Sequence, residues 1–197
     1  MTGPPQTAVL LVECQRGVIG DLSVLPDLAA LARPSVSRMA HLAGAARSSG
    51  VTVVHLTYAP VASGRSTNQR SPLTRSTSET SSWGPDSPGA EVLPEIGVEA
   101  DDLVFERHQG ISPVHRTEVL AVLRNMGITA VVVAGVSTNL AVLLVAVAAS
   151  DEDFDVTVAS DATVGVPASH HESMLRHSVG FVARLATVDD IVAEWEG

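Results

Sequence analysis

Few side chains in this chain can move protons, attack electrophiles or hold a metal, and their positions narrow the chemistry. Glu13 closes the apolar run Thr7–Val12. A carboxylate ending a buried run is rarely idle, because burial without a partner is costly. Arg107 and His108 follow the short apolar stretch Asp102–Glu106. The arginine keeps its charge and suits anionic groups, whereas the histidine can exchange protons near neutral pH. A third group is the turn Gly135, Val136, Ser137, Thr138 and Asn139, at the end of the apolar run Ile128–Ala134. All 12 basic residues are arginine and none is lysine, which excludes a Schiff base and a lysine general base.

Cys14 is the single cysteine, so no intrachain disulfide forms. Following Glu13 on a strand, it should point to the opposite face, as a buried structural thiol would. Gln15 either satisfies backbone groups or binds substrate. Thr138 and Asn139 either cap the helix that follows or face a ligand. Ser112 and His115 either line a cleft or cap the next helix. His171 and His177 stand six positions apart, which does not put them on one helical face. Together with His170 they read as a solvated helix surface rather than a metal set.

The elements that must carry these groups follow from hydropathy. Thr7–Val12 is a continuous apolar run that reads as a strand buried on both faces, and Val51–Thr57, Asp102–Glu106, Ile128–Ala134 and Asp155–Ser160 read as further short strands. A sixth short strand is expected at Leu185–Val188. Helices are expected over Pro34–Ser48, Thr117–Asn125, Asn139–Ala149, Pro167–Val182 and Asp189–Trp195, with Gly50 and Gly127 as stops. Alternating strands and helices predict a three-layer α/β/α domain around a mostly parallel, Rossmann-like sheet. Sites in such sheets form at the carboxyl ends of the strands, where Glu13, Arg107 with His108, and Gly135–Thr138 fall. The stretch Tyr58–Pro94, rich in Ser, Thr, Pro and Gly, is too long for an ordinary connection. It reads as a lid, an oligomer arm or a low-complexity segment, with Trp83 docking on something.

Composition sets further bounds. A chain of 197 residues suits one domain over 1–197. Hydrophobic residues make up 45% but aromatics only 3%, so Val, Ala and Leu must build the core. A net charge of -10 argues against nucleic acid and against an anionic membrane surface. No segment reads as a signal peptide, and the longest apolar stretch, Leu140–Ala149, is too short to span a bilayer. A cytoplasmic location is expected. No GxGxxG follows the first strand, and a GxxxxGK loop is impossible without lysine. A nucleotide enzyme of the usual type is therefore not expected, and no cofactor is.

Four segments together resemble the isochorismatase-like (cysteine hydrolase) family: AVLLVECQ at 8–15, RHQGISPVHRTEV at 107–119, VVVAGVSTNLAV at 131–142 and DATVGVP at 161–167. The resemblance covers nearly the whole chain. It implies a triad of Asp, Lys and a nucleophilic Cys, and each position is substituted here. Glu13 stands for the Asp and Ala141 for the Cys. For the Lys, counting back from Ser112 selects His108, and counting forward from Asp102 selects Arg107. The resemblance also implies a non-proline cis peptide and oxyanion-binding N–H groups at Gly135–Val136–Ser137. It implies a substrate cleft that takes in Gln15, Ser112, Val136, Ser137, Asn139 and Ala141. The Asp and His metal cluster of nicotinamidase-like members is missing after the second strand, where only His55 stands nearby. This counts against a metal and against nicotinamide as substrate.

Within that family, isochorismatases hydrolyse a vinyl ether without a cysteine, with the Asp as general acid. The expectation is therefore a hydrolase of a small organic metabolite, a vinyl ether or an ester- or amide-like compound. It would work by non-covalent acid–base catalysis, with Glu13 as acid or base and Arg107 and His108 as supporting groups. An amidase using an activated water ranks lower. The competing expectation is an inactive family member that binds a small molecule or acts as a scaffold. A homodimer or higher homo-oligomer is expected, as is common in the family.

Overall fold

The computed structural model describes residues 6–61, 66, 70–75 and 83–196. Six strands form one sheet: β1 (Thr7–Val12), β2 (Thr52–Tyr58), β3 (Leu103–Arg107), β4 (Ala130–Val136), β5 (Asp155–Val164) and β6 (Arg184–Ala186). Their order is β3-β2-β1-β4-β5-β6, and every neighbouring pair is parallel. The central strands β1, β2 and β4 are buried almost end to end, as continuous Val- and Leu-rich runs require when both faces are covered.

On one face lie α1 (Arg16–Ile19), α2 (Pro26–Ala32), α3 (Val36–Ser48) and α7 (Val188–Glu196); on the other lie α4 (Val119–Asn125) and α5 (Leu143–Asp151). Met39, Leu42, Ala43 and Ala46 make the buried stripe of α3 at the i, i+3, i+4, i+7 spacing of an amphipathic helix. The helix stops at Gly50, whose φ of +70° favours a residue without Cβ. The segment α6 (Ala168–Met174) runs into a wide turn at Leu175–Val179 and a short helical piece at Gly180–Val182.

The sequence expectations need five corrections. α1 and α2 lie where the sequence suggested no helix; their four and seven residues are too few to show a period. A tight turn at Arg33–Ser35 separates α2 from α3, so the helix expected from Pro34 begins at Val36. The helix expected from Asn139 opens as a wide π-type turn, Thr138–Val142, before α5 begins. β5 runs four residues past Ser160, through a register irregularity opposite Val133 and Gly135. The helix expected over Pro167–Val182 ends at Met174 as α6 and gives way to the wide turn Leu175–Val179; the remaining boundaries lie within about two residues of expectation.

The strand order reverses direction between β1 and β4. Their carboxyl ends, side by side in register at Val12 and Gly135, form the crevice where open α/β sheets bind ligands. Of the segment expected to act as lid or arm, residues 62–65, 67–69 and 76–82 lie outside the described residues. Its later part is anchored: Val92 bridges Gln15, and the amides of Arg16, Gly17 and Leu93 bond the carbonyls of Glu91, Gly89 and Cys14.

Candidate active site

Glu13 sits one residue beyond β1 with φ +52°, in the left-handed region that non-glycine residues rarely occupy. Its amide remains bonded to the Leu56 carbonyl of β2, 2.9 Å away. The strand therefore ends at Val12, and the left-handed turn, not strand alternation, sends Cys14 away from Glu13. Cys14 packs in the α3-side core, its Sγ 3.8 Å from the Met39 sulfur. Burial and the neighbouring Glu13 charge push its thiol up to about 12, so it has no thiolate character at neutral pH.

Arg107 closes β3 in register with Tyr58 of β2, which puts both side chains on one face. Its guanidinium lies over the Tyr58 ring, 4.5 Å from the centroid. Nη2 donates to the Glu13 carboxylate, and Nη1 donates to the Gly110 carbonyl at 2.7 Å and the Gln109 carbonyl at 3.4 Å. Burial pushes the Glu13 carboxyl up; the charge and hydrogen bond of Arg107 pull against it, and the net direction is upward.

The pair opens onto a cavity of about 400 Å³. Apolar side chains dominate its wall, among them Leu25, Leu28, Trp83, Ile111, Leu140 and Val166. Trp83 meets Tyr58 edge to face, with ring centroids 6.0 Å apart. Gly17 and Gly89 make room for the indole, since a Cβ on either would come within 2.7 Å of it. The first turn after β4 supplies Ser137, Asn139 and Ala141 to the wall. The Val136–Ser137 peptide bond is cis. Gly135 has φ +108°, and a Cβ there would stand 2.2 Å from the Val12 carbonyl oxygen. This close approach of two backbones brings the ends of β1 and β4 together. Thr138 turns away from the cavity wall to meet His171, Oγ1 to Nδ1 at 2.8 Å, and ties the turn to α6.

The cavity thus gathers Glu13, Arg107, Ser137, Asn139 and Ala141. Four other expected residues lie off its wall. The His108 ring bonds the Ala59 carbonyl at 2.8 Å and is half exposed. The Gln15 amide is fully buried and spent on backbone: it donates to the Tyr58 and Ala90 carbonyls and accepts from the Tyr58 amide. Val136 is a core residue of the α3 side, paired with Val164. Ser112 lies next to the wall residue Ile111 without joining it. Of the alternatives left open for the family's lysine, Arg107 is the one at the cavity. The apolar wall from Val18 to Leu28 went unread in the sequence, and the docking expected of Trp83 had no partner assigned, because loop and helix-end residues carry no spacing signal; the structure seats it against Tyr58 on the cavity wall. Among the described residues, no three His, Cys, Asp or Glu side chains converge as a metal set.

A family model, the isochorismatase domain, matches residues 7–190. The chain belongs to the isochorismatase family. An uncharacterized isochorismatase family protein of Escherichia coli, YecD, is 30% identical over 112 residues, 52% of this chain and 58% of that protein. The chain thus matches little more than half the length of that relative. Among solved structures, an isochorismatase family protein from Desulfovibrio vulgaris superposes with a TM-score of 0.82 at 23% identity, covering 96% of this chain and 99% of the other. A cysteine hydrolase from Pseudomonas syringae gives 0.79 at 21% identity, covering 99% and 94%. At these identities the superpositions establish the shared fold. Within this family of hydrolases, the chain is a divergent member: Ala141 stands where the nucleophilic cysteine is expected, and a methyl group can attack nothing.

Proposed function

We propose that the chain hydrolyses a small organic molecule without a covalent intermediate, with Glu13 as the proton-transferring group. The observation that carries this reading is Glu13 itself: a carboxyl with its proton affinity raised by burial, set in an apolar cavity whose wall has a methyl group in place of a nucleophile. A carboxyl whose proton affinity is raised in this way is suited to proton transfer. With an enol ether, Glu13 gives its proton to the vinyl carbon, and water adds to the resulting oxocarbenium carbon and returns a proton to Glu13. The hemiketal then collapses to a ketone and an alcohol, with one water consumed. With an ester or amide, water loses its proton to Glu13 as it adds to the carbonyl carbon. The proton passes on to the departing oxygen or nitrogen. Arg107 holds the carboxyl in place and limits how far its proton affinity rises. His108 has no part in this scheme, since its ring is tied to Ala59.

A second reading, a binding protein without catalysis, is favoured by the Glu13–Arg107 ion pair, which already occupies two of the three charged groups that the described residues place on the cavity wall. One experiment separates the two. Wild type and Glu13→Gln are compared on a panel of isochorismate, other vinyl ethers, small esters and small amides. The hydrolase reading expects turnover by wild type that falls by ~100- to 10,000-fold in the variant, the range of a lost general acid or base. Equal, measurable rates in the two proteins would remove Glu13 as the proton-transferring group; no turnover of any compound leaves the binding reading in its place.

A further inference from the structure

We infer that this cavity selects neutral, largely apolar molecules and rejects anionic ones, so that the substrate carries no carboxylate or phosphate. The inference rests on the cavity being the substrate site and goes beyond the reaction proposed for it. Arg107 is the one cation on the wall among the described residues, and its guanidinium is committed. One terminal nitrogen serves Glu13, the other serves the carbonyls of Gly110 and Gln109, and the flat face is covered by Tyr58. Its Nε is buried, without a hydrogen-bond partner among the described residues. The wall also carries two acids, Glu13 and the exposed Asp27. In the ion-paired form of Glu13, the base of the proposed ester and amide reaction, an entering anion finds no uncommitted positive charge among the described residues and two like charges. It would also surrender its hydration to an apolar surface, which is costly for an unpaired charge. A neutral molecule meets none of these penalties, and the leucine, isoleucine and aromatic wall favours apolar bulk. The volume lies at the small end of ligand pockets, ~300–1,000 Å³, and suits one ring with a short substituent. By this logic isochorismate, a dicarboxylate, is excluded from this member of its family.

The test uses shape-matched probes that differ in charge: nitrobenzene against benzoate, and cyclohexanecarboxamide against cyclohexanecarboxylate. Binding to the full chain is measured by calorimetric titration at neutral pH. The neutral member of each pair should bind at least 10-fold more tightly. Glu13→Gln releases Arg107, so the carboxylates should gain at least 10-fold and the preference should shrink or invert. Asp27→Asn, a surface change that spares the ion pair, should narrow the preference by a few fold and serves if Glu13→Gln does not fold. Carboxylates binding wild type as tightly as their neutral partners would overturn the inference, as would no binding of either neutral probe, or a preference untouched by both substitutions. Binding needs no turnover, so charge selectivity without hydrolysis defeats the proposed reaction alone. Hydrolysis of anionic compounds defeats the selectivity alone.

Discussion

Glu13 and Cys14 are adjacent in sequence and opposite in chemistry. The left-handed residue at the end of β1 delivers a carboxyl to the cavity and a thiol to the core. With its thiol pushed up to about 12 and its sulfur against Met39, Cys14 should resist iodoacetamide at pH 8 in the native protein and react once denatured. Mass spectrometry reads the outcome; rapid native alkylation would mean that the thiol is accessible and ionised. Cys14→Ala should keep any hydrolytic activity at a stability cost of about 1 kcal/mol. At this scale Glu13 could be named as a carboxylate ending a buried run, and Ser137, Asn139 and Ala141 through the family resemblance; the cavity gathers all four. Between Arg107 and His108 the sequence did not decide, because a one-residue slip along a strand exchanges the two faces. The register that pairs Arg107 with Tyr58 decides which residue meets the cavity, and register is a property of two strands.

Among the elements, β1 and β4 set the geometry of the cavity, and Gly135 sets their approach. Alanine there must both hold φ +108° and place a Cβ 2.2 Å from a backbone oxygen, with no flexible side chain to give way. Gly135→Ala should cost about 3 kcal/mol or more, lowering the melting temperature by ~6 °C or more for a chain of this size. Gly44 is the control: it lies mid-helix in α3 with open space where a Cβ would go, so Gly44→Ala should stabilise by ~0.5–1 kcal/mol. Calorimetry on the two variants compares them directly, and equal effects would show that the close approach of the strands does not matter. The central strands β1 and β4 were readable because each is a nearly unbroken apolar run, as a parallel sheet covered on both faces requires. α2 and the wide turn at Thr138–Val142 were not: one is too short to display a period, and the other has the composition of a helix.

For the molecule as a whole, the buried groups make stability depend on pH. His55, inside the layer between β2 and α3, has its Nε2 3.0 Å from Asp102, which Arg47 holds from the other side. Burial lowers its proton affinity and Asp102 raises it, with a net lowering; His171 is likewise lowered by burial against a smaller opposing pull from Glu172. For a base lowered in the folded state, the unfolded chain binds more protons once pH drops below the ordinary histidine value of about 6.5. The stabilisation is complete above that value and is lost as pH falls toward the folded one. Glu13, raised when folded, has the opposite sign and loses its contribution as pH rises. The melting temperature should therefore fall between pH 7.5 and 5.5, and His55→Gln should fall less steeply than wild type. Parallel curves for the two proteins would remove His55 as a cause.

Trp83 has a further consequence for anyone working with this protein. It forms part of the cavity wall, edge-on to Tyr58 and seated on Gly17 and Gly89, while the second indole, Trp195, packs against the α3-side core. In a Trp195→Phe background the remaining emission originates at the wall of the cavity, so the chain carries its own optical gauge of occupancy and needs no attached dye.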